Sequence, residues 1–211
     1  GVVVAIQGLG KVGSNVAKRL VAAGARVIAT DVDAERLRWA ADELGIETVR
    51  PDEILTIPCD ILAPCALGGV IDRERAREIR CSILCGAANN ILAEPSAGVV
   101  LKDRGIVYAP DFVANAGGLI RLACVRLGLG DDAIAKRIEG IGDTLREILE
   151  ESRTRRSTFE VALEIARRRI EGGSDGRSSV ESLASGAPPR SIEPSNLAEP
   201  MLEAEGERGR R

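Results

Sequence analysis

Gly8, Gly10 and Gly13 stand in the pattern G-x-G-x-x-G between an apolar run over 2–6 and an amphipathic stretch over 11–23. Glycines so placed can receive a diphosphate. The first permits a tight turn, the second lets backbone N–H groups approach an anion at a helix N-terminus, and the third lets helix and strand pack closely. The pattern alone recurs in ordinary turns, so its weight comes from the strand before it and the helix after it. Asp31 ends a second apolar run, over 26–30, where a carboxylate accepts hydrogen bonds from both hydroxyls of an adenine ribose. Such a group repels a 2′-phosphate and so favours NAD, and no arginine follows immediately in Val32-Asp33 to offset the charge. Asp31 also reads as a polar strand end or a second helix cap.

Three further segments fall at expected carboxyl ends of strands, where open α/β sheets place their ligands. Ala63-Pro64-Cys65-Ala66-Leu67-Gly68-Gly69 and Gly86-Ala87-Ala88-Asn89-Asn90 are small-residue loops that let a flat molecule near the backbone. An Asn amide there both donates and accepts. In the third segment, 108–118, Asn115 precedes Ala116-Gly117-Gly118 at an expected helix start, where it reads as a ligand contact or as a cap. The sequence has no histidine, so proton transfer falls to lysine, a carboxylate or water. Lys11, Lys18, Lys102 and Lys136 lie on expected helices or their starts, on solvated faces, and none is assigned a catalytic role. The five cysteines, Cys59, Cys65, Cys81, Cys85 and Cys124, form no C-x-x-C and have no histidine to complete a zinc site. We expect no metal, and reduced, mostly buried thiols.

The elements that position these residues follow from periodicity. Strands are expected over 2–6, 26–30, 46–49, 60–63, 82–85 and 106–108, and helices over 11–23, 33–44, 72–79 and 96–103. Their alternation implies an α/β, Rossmann-type doubly wound parallel sheet with right-handed crossovers. C-terminal helices are expected over 113–127, 131–151 and 158–170. In the second of these, Ile134, Ile138, Ile141, Leu145 and Ile148 make an apolar stripe that needs a partner, either an interdomain hinge or the helix's own sheet. Residues 1–170 thus read as one nucleotide-binding domain, and 171–211, rich in Gly, Ser, Pro and charge, as a disordered tail. The start inside a core strand suggests a missing N-terminal segment.

The net charge of −3, with both signs mixed throughout, gives no basic patch for phosphate backbones, and four aromatics are few for base stacking. Nucleic acid is not an expected partner. No apolar run is long enough to span a bilayer and no signal segment precedes the first strand, which leaves the cytosol as the default location.

Gln7-Gly8-Leu9-Gly10-Lys11-Val12-Gly13, Pro64-Cys65-Ala66-Leu67-Gly68, Gly86-Ala87-Ala88-Asn89-Asn90 and Asn115-Ala116-Gly117-Gly118, in this order and at these intervals, resemble the Glu/Leu/Phe/Val dehydrogenase family. The likeness covers about residues 1–170 and is strongest to the leucine and phenylalanine branch. It implies NAD-dependent oxidative deamination of an L-amino acid to a 2-oxo acid and ammonia. By the resemblance, Gly8, Gly10 and Gly13 hold the pyrophosphate, with Leu9, Lys11 and Val12 in the same loop; Asp31 and Val32 take the adenosine ribose. The Cys65-Ala66-Leu67 backbone with Ala88 and Asn89 lines the nicotinamide side, and Asn115 faces nicotinamide and substrate with Val113 beside it. Aliphatic Val113, Ala114 and Leu119 favour a branched-chain or aromatic substrate over glutamate. Family members also carry an N-terminal domain with the catalytic lysine, and the full-length enzyme is expected to be a homo-oligomer. No stretch here matches that domain. The alternatives are a stand-alone NAD-binding regulatory module, a decayed enzyme without turnover, or a related oxidoreductase acting on hydroxy acids.

Overall fold

The computed structural model describes residues 1–153 and 156–173, so most of the expected tail lies outside the described residues. Six strands form one parallel sheet in the order β3-β2-β1-β4-β5-β6: β1 (Val3–Gln7), β2 (Arg26–Thr30), β3 (Glu47–Thr48), β4 (Ile61–Pro64), β5 (Ile83–Leu84) and β6 (Val107–Tyr108). The chain starts in the middle, winds outward through β2 and β3, and then returns to the other side of β1. That reversal opens a crevice beyond the carboxyl ends of β1 and β4.

Burial on both faces explains why β1 is apolar from Val3 through Ile6, with polar Gln7 only at its end. Successive side chains of a strand point to opposite faces. Ala5 packs with Ile28, Leu62 and Leu84 on one side, whereas Val4 and Ile6 pack with Val27, Ala29 and Ala63 on the other. Helices cover both layers. Helices α1 (Lys11–Ala22) and α2 (Ala34–Leu44) contribute Ala17 and Ala40 to the second layer. Helices α3 (Arg75–Glu78) and α4 (Pro95–Asp103) contribute Ala76, Ala97 and Leu101 to the first. Asp33 caps α2 as expected, accepting from Glu35 N–H at 2.9 Å and Arg36 N–H at 3.4 Å.

The structure revises several expectations. Helix α3 is a single turn, because Asp72 accepts the Arg75 N–H at 2.7 Å and Ile79 turns to extended backbone. The stretch expected to be one helix from 113 is two, α5 (Asp111–Ala114) and α6 (Gly117–Arg126), so Asn115 closes α5 and does not begin a helix. Pro110 starts the segment earlier than the apolar pattern indicated, and Gly117-Gly118 restarts it. The stripe of α7 (Asp131–Glu151) does not cover the sheet: Ile148 packs with Val161, Ala162 and Ile165 of α8 (Thr158–Gly173) and with Val113. All five cysteines are free, but only Cys124 is buried; the other four are half-buried. Lys102 does not sit on a solvated face, since its Nζ donates to the Ser152 carbonyl at 2.8 Å and also to the Arg156 carbonyl. Among the described residues no helix is long and apolar enough to cross a membrane.

Candidate functional site

Gly8 leaves β1 at φ +98°, a left-handed conformation that glycine adopts without strain, and donates its N–H to Thr30 O of β2 at 2.8 Å. The turn folds α1 tightly back on the strand. A Cβ on Gly13 would overlap the Gly8 carbonyl oxygen, so no larger residue fits there with the backbone in place. Above Gly10 the space is open: the nearest atom to an added Cβ is Arg36 Nη1 at 3.9 Å. Gly10 is the N-cap of α1, no side chain caps the helix, and its first turn carries no acidic residue. The first-turn N–H groups have no partner within the helix, and the positive end of its dipole faces the opening. That is a fit for an anion such as a pyrophosphate. Leu9 contributes only backbone, its side chain being buried in the core, while Lys11 and Val12 are exposed beside the loop.

Asp31 sits at the end of β2 beside this loop and is 8% exposed. Its Oδ2 accepts the Leu9 N–H at 2.6 Å and its Oδ1 the Asp33 N–H at 2.9 Å, so the carboxylate ties the glycine loop to the start of α2. Each oxygen keeps a further lone pair for an incoming hydroxyl. Burial alone would raise its pKa, but the N–H groups of Asp33 and Leu9, followed by Arg36, outweigh it and hold the group below the ordinary aspartate value. Sequence reading looked for a cation only in Val32-Asp33. Arg36 was missed because it reads as one more polar residue of α2, although a residue three after the cap lies on the cap's side of the helix.

The small-residue loops meet at the same edge. Cys65 N–H donates to Gln7 O at 2.7 Å, Ala88 N–H to Pro64 O at 3.0 Å and Gly69 N–H to Asn90 O at 2.6 Å, stitching the ends of β1, β4 and β5 together. Asn115 Nδ2 donates to Asn89 Oδ1 at 2.7 Å and approaches the Ala88 carbonyl at 3.4 Å. This pair leaves an acceptor on Asn115 and N–H donors on exposed Asn89, the complement of a carboxamide or a carboxylate. Leu67 is exposed at the mouth. Gln7 Oε1, on the residue before the loop, is buried without a hydrogen-bond partner.

Two residues that position this edge were not singled out in the sequence. Asp111, almost fully buried, accepts from Ile91 N–H at 2.9 Å, Tyr108 hydroxyl at 3.0 Å and Phe112 N–H at 3.0 Å. It fixes the loop carrying Asn89 against the turn that carries Asn115. Burial, chiefly, pushes the Tyr108 hydroxyl far above its ordinary range, so it donates to Asp111 and does not titrate near neutrality. The only signal was the turn dipeptide Pro110-Asp111 at the end of a strand. Val113, expected beside the substrate, packs on Ile148 and α8 and lines an apolar cavity of about 530 Å³ with Phe112 and Ile141.

Residues 34–124 match the family described as glutamate/leucine/phenylalanine/valine dehydrogenase, and residues 1–66 match the NAD binding domain of the D-isomer specific 2-hydroxyacid dehydrogenases. The chain is 44% identical to the leucine dehydrogenase of Thermoactinomyces intermedius over 150 residues, which is 71% of this chain and 41% of that protein. It is 40% identical to the leucine dehydrogenase of Bacillus cereus over 179 residues, 84% of this chain and 49% of that one. The crystal structure of L-tryptophan dehydrogenase from Nostoc punctiforme superposes with a TM-score of 0.79 at 35% identity, covering 83% of this chain and 53% of that chain. The chain therefore spans about half the length of the curated relatives it matches.

Proposed function

Because this chain belongs to the glutamate/leucine/phenylalanine/valine dehydrogenase family, we propose that it forms the NAD-binding half of an enzyme that oxidatively deaminates a branched-chain or aromatic L-amino acid. One observation carries the reading: the uncapped N-terminus of α1, the Asp31 carboxylate and the Asn89–Asn115 pair all lie along the carboxyl edge of one sheet. In this reading the first-turn N–H groups of α1 hold the pyrophosphate, and the remaining lone pairs of Asp31 take the adenosine ribose hydroxyls. The Ala66-Leu67 backbone and Asn89 line the nicotinamide side. Asn115, held by Asn89, faces the substrate. Bound NAD supplies a hydride acceptor for the amino acid's α-carbon, and water then hydrolyses the imine to a 2-oxo acid and ammonia. The residues of this chain bind and orient; none is given a proton-transfer role. Holding the two reactants together is itself a large part of such catalysis.

The match of residues 1–66 to the 2-hydroxyacid dehydrogenases covers the glycine loop, Asp31 and β4, which other dinucleotide-binding sheets share. The identity to the leucine dehydrogenases extends well past it, which favours the amino-acid reading. Calorimetric titration of the chain with NAD tests the proposal. We expect a dissociation constant below about 1 mM, weakened about tenfold in Asn89→Ala by loss of a hydrogen bond to the carboxamide. No heat of binding at saturating NAD sinks it.

A further inference from the structure

Cys59 stands two residues before Ile61 and Cys81 two before Ile83, and Ile61 and Ile83 are register partners in neighbouring parallel strands. The ladder reaches back to the cysteines: Cys59 N–H donates to Arg80 O at 3.1 Å, and Ile83 N–H to Asp60 O at 2.9 Å. Cys59 and Cys81 are therefore opposite one another at the amino ends of β4 and β5. Neighbouring strands lie about 4.8 Å apart, within the roughly 4.4–6.8 Å between Cα atoms that a disulfide spans. Both side chains pack against the same apolar layer, that of Ala5, Leu62 and Leu84, so they lie on one side of the sheet. Both are half-buried and free.

Their surroundings give the two thiols different tasks. Burial, followed by the neighbouring Cys81, pushes the Cys59 thiol up to about 11, so it stays protonated near neutrality. Burial raises Cys81 as well, but the Leu62 backbone and then the Arg104 guanidinium oppose it. Arg104 is fixed there by its own bonds to the Ala76 and Ile79 carbonyls, at 2.7 and 2.8 Å. A thiolate beside a fixed cation is the better placed of the two to begin thiol–disulfide exchange.

We propose that Cys59 and Cys81 form a reversible dithiol–disulfide couple, a modification site at the amino edge of the sheet. The Cys81 thiolate attacks one sulfur of a small-molecule disulfide, releasing one thiol and leaving a mixed disulfide. The Cys59 sulfur then attacks the Cys81 sulfur and releases the second thiol. The two protein thiols lose two electrons, the small disulfide gains them, and the two protons given up by the cysteines end on the two released thiols. The new bond ties β4 to β5 at the edge opposite Gly10 and Asp31, so the carboxyl edge is left as it was.

The test is prolonged incubation of the full chain with excess oxidised glutathione, then alkylation of free thiols and peptide mapping by mass spectrometry without reduction. We expect a linked Cys59–Cys81 peptide that dithiothreitol removes. Tm should rise by about 6–12 °C, the size expected for closing a loop of about 22 residues in a domain of this size. Cys59→Ser should stop at the mixed disulfide, with glutathione on Cys81, and Cys81→Ser should leave Cys59 unmodified. Absence of the linked peptide from the parent chain overturns the inference, as does linkage of either cysteine to Cys65, Cys85 or Cys124. A linked peptide with a lowered Tm also overturns it, because the bond would then form only by distorting the strands. None of these readouts involves the dinucleotide, so they stand apart from the test of NAD binding.

Discussion

Replacing Asp111 with alanine removes the acceptor for three donors, and the structure says which of them suffer. Phe112 is on the exposed side and its N–H is the one best placed to find water, whereas Ile91 is fully buried and Tyr108 nearly so. Stranding the Ile91 N–H and the Tyr108 hydroxyl costs about 1–3 kcal/mol each, or about 3–4 kcal/mol together. For a domain of this size about 1 kcal/mol moves Tm by 2–4 °C, so thermal unfolding followed by far-ultraviolet circular dichroism should show a drop of about 6–16 °C. Tyr108→Phe alone should cost about 1–3 kcal/mol, because Asp111 keeps its two backbone donors while its own N–H loses the hydroxyl it donates to at 3.2 Å. In the double variant the hydroxyl is no longer stranded, so the two losses should fall short of their sum by about 1–2 kcal/mol. A drop under about 2 °C for Asp111→Ala, or strict additivity in the double variant, would refute the picture of Asp111 as the buried hub behind the Asn89 loop.

Gly13→Ala should destabilise the chain by about 1–3 kcal/mol in urea unfolding, since its Cβ meets the Gly8 carbonyl oxygen and backbone must shift to admit it; a neutral result means that α1 is not packed this closely. Asp31→Asn should be less stable than the parent near neutrality. Because the folded-state pKa of Asp31 is lowered, its contribution is full above the unfolded-state value and is lost as pH falls through the folded one, so the gap between the two proteins should close in acid. A gap that stays constant from neutral pH to well below the aspartate range contradicts the assignment. The half-buried thiols should react slowly with a disulfide reagent near pH 7.5, since burial raises the pKa of Cys65, Cys81 and Cys85 and pushes Cys59 up to about 11. Denaturant should release all five; rapid native-state reaction of Cys59 would be inconsistent with its burial.

The sheet and the glycine loop were legible because local sequence dictates them. A strand apolar up to Gln7, three glycines and a helical stripe follow one another along the chain, so no long-range information is needed to place β1, the turn and α1. What stayed hidden depends on contacts between residues far apart in the chain. The bond between Asn89 and Asn115 forms only once β5 and β6 lie side by side, and Lys102 finds the Ser152 carbonyl across 50 residues. Short elements also blurred. Ile83–Leu84 and Arg75–Glu78 are too brief to show a period, and the break at Asn115 lies inside a run that is apolar on either side of it. Arg36 and Asp111 were passed over for opposite reasons: one resembles an ordinary surface cation, and the other an ordinary turn residue.

The clamp that Lys102 makes on Ser152 fixes one end of α7, a helix of 21 residues and therefore about 31 Å long. It is a lever with its fulcrum at the clamp. Rocking it by about 5° would carry the Asp131 end through nearly 3 Å by that length, while the clamped end barely moves. Ile148 near the fulcrum and Ile134 close to the Asp131 end are both buried, with exposed Ile138 between them, so packing toward each end resists such rocking. A tilt begun among Ile148, Val161 and Ile165 would thus have to pull Ile134 from its packing at the far end, which ties the two ends of the helix together.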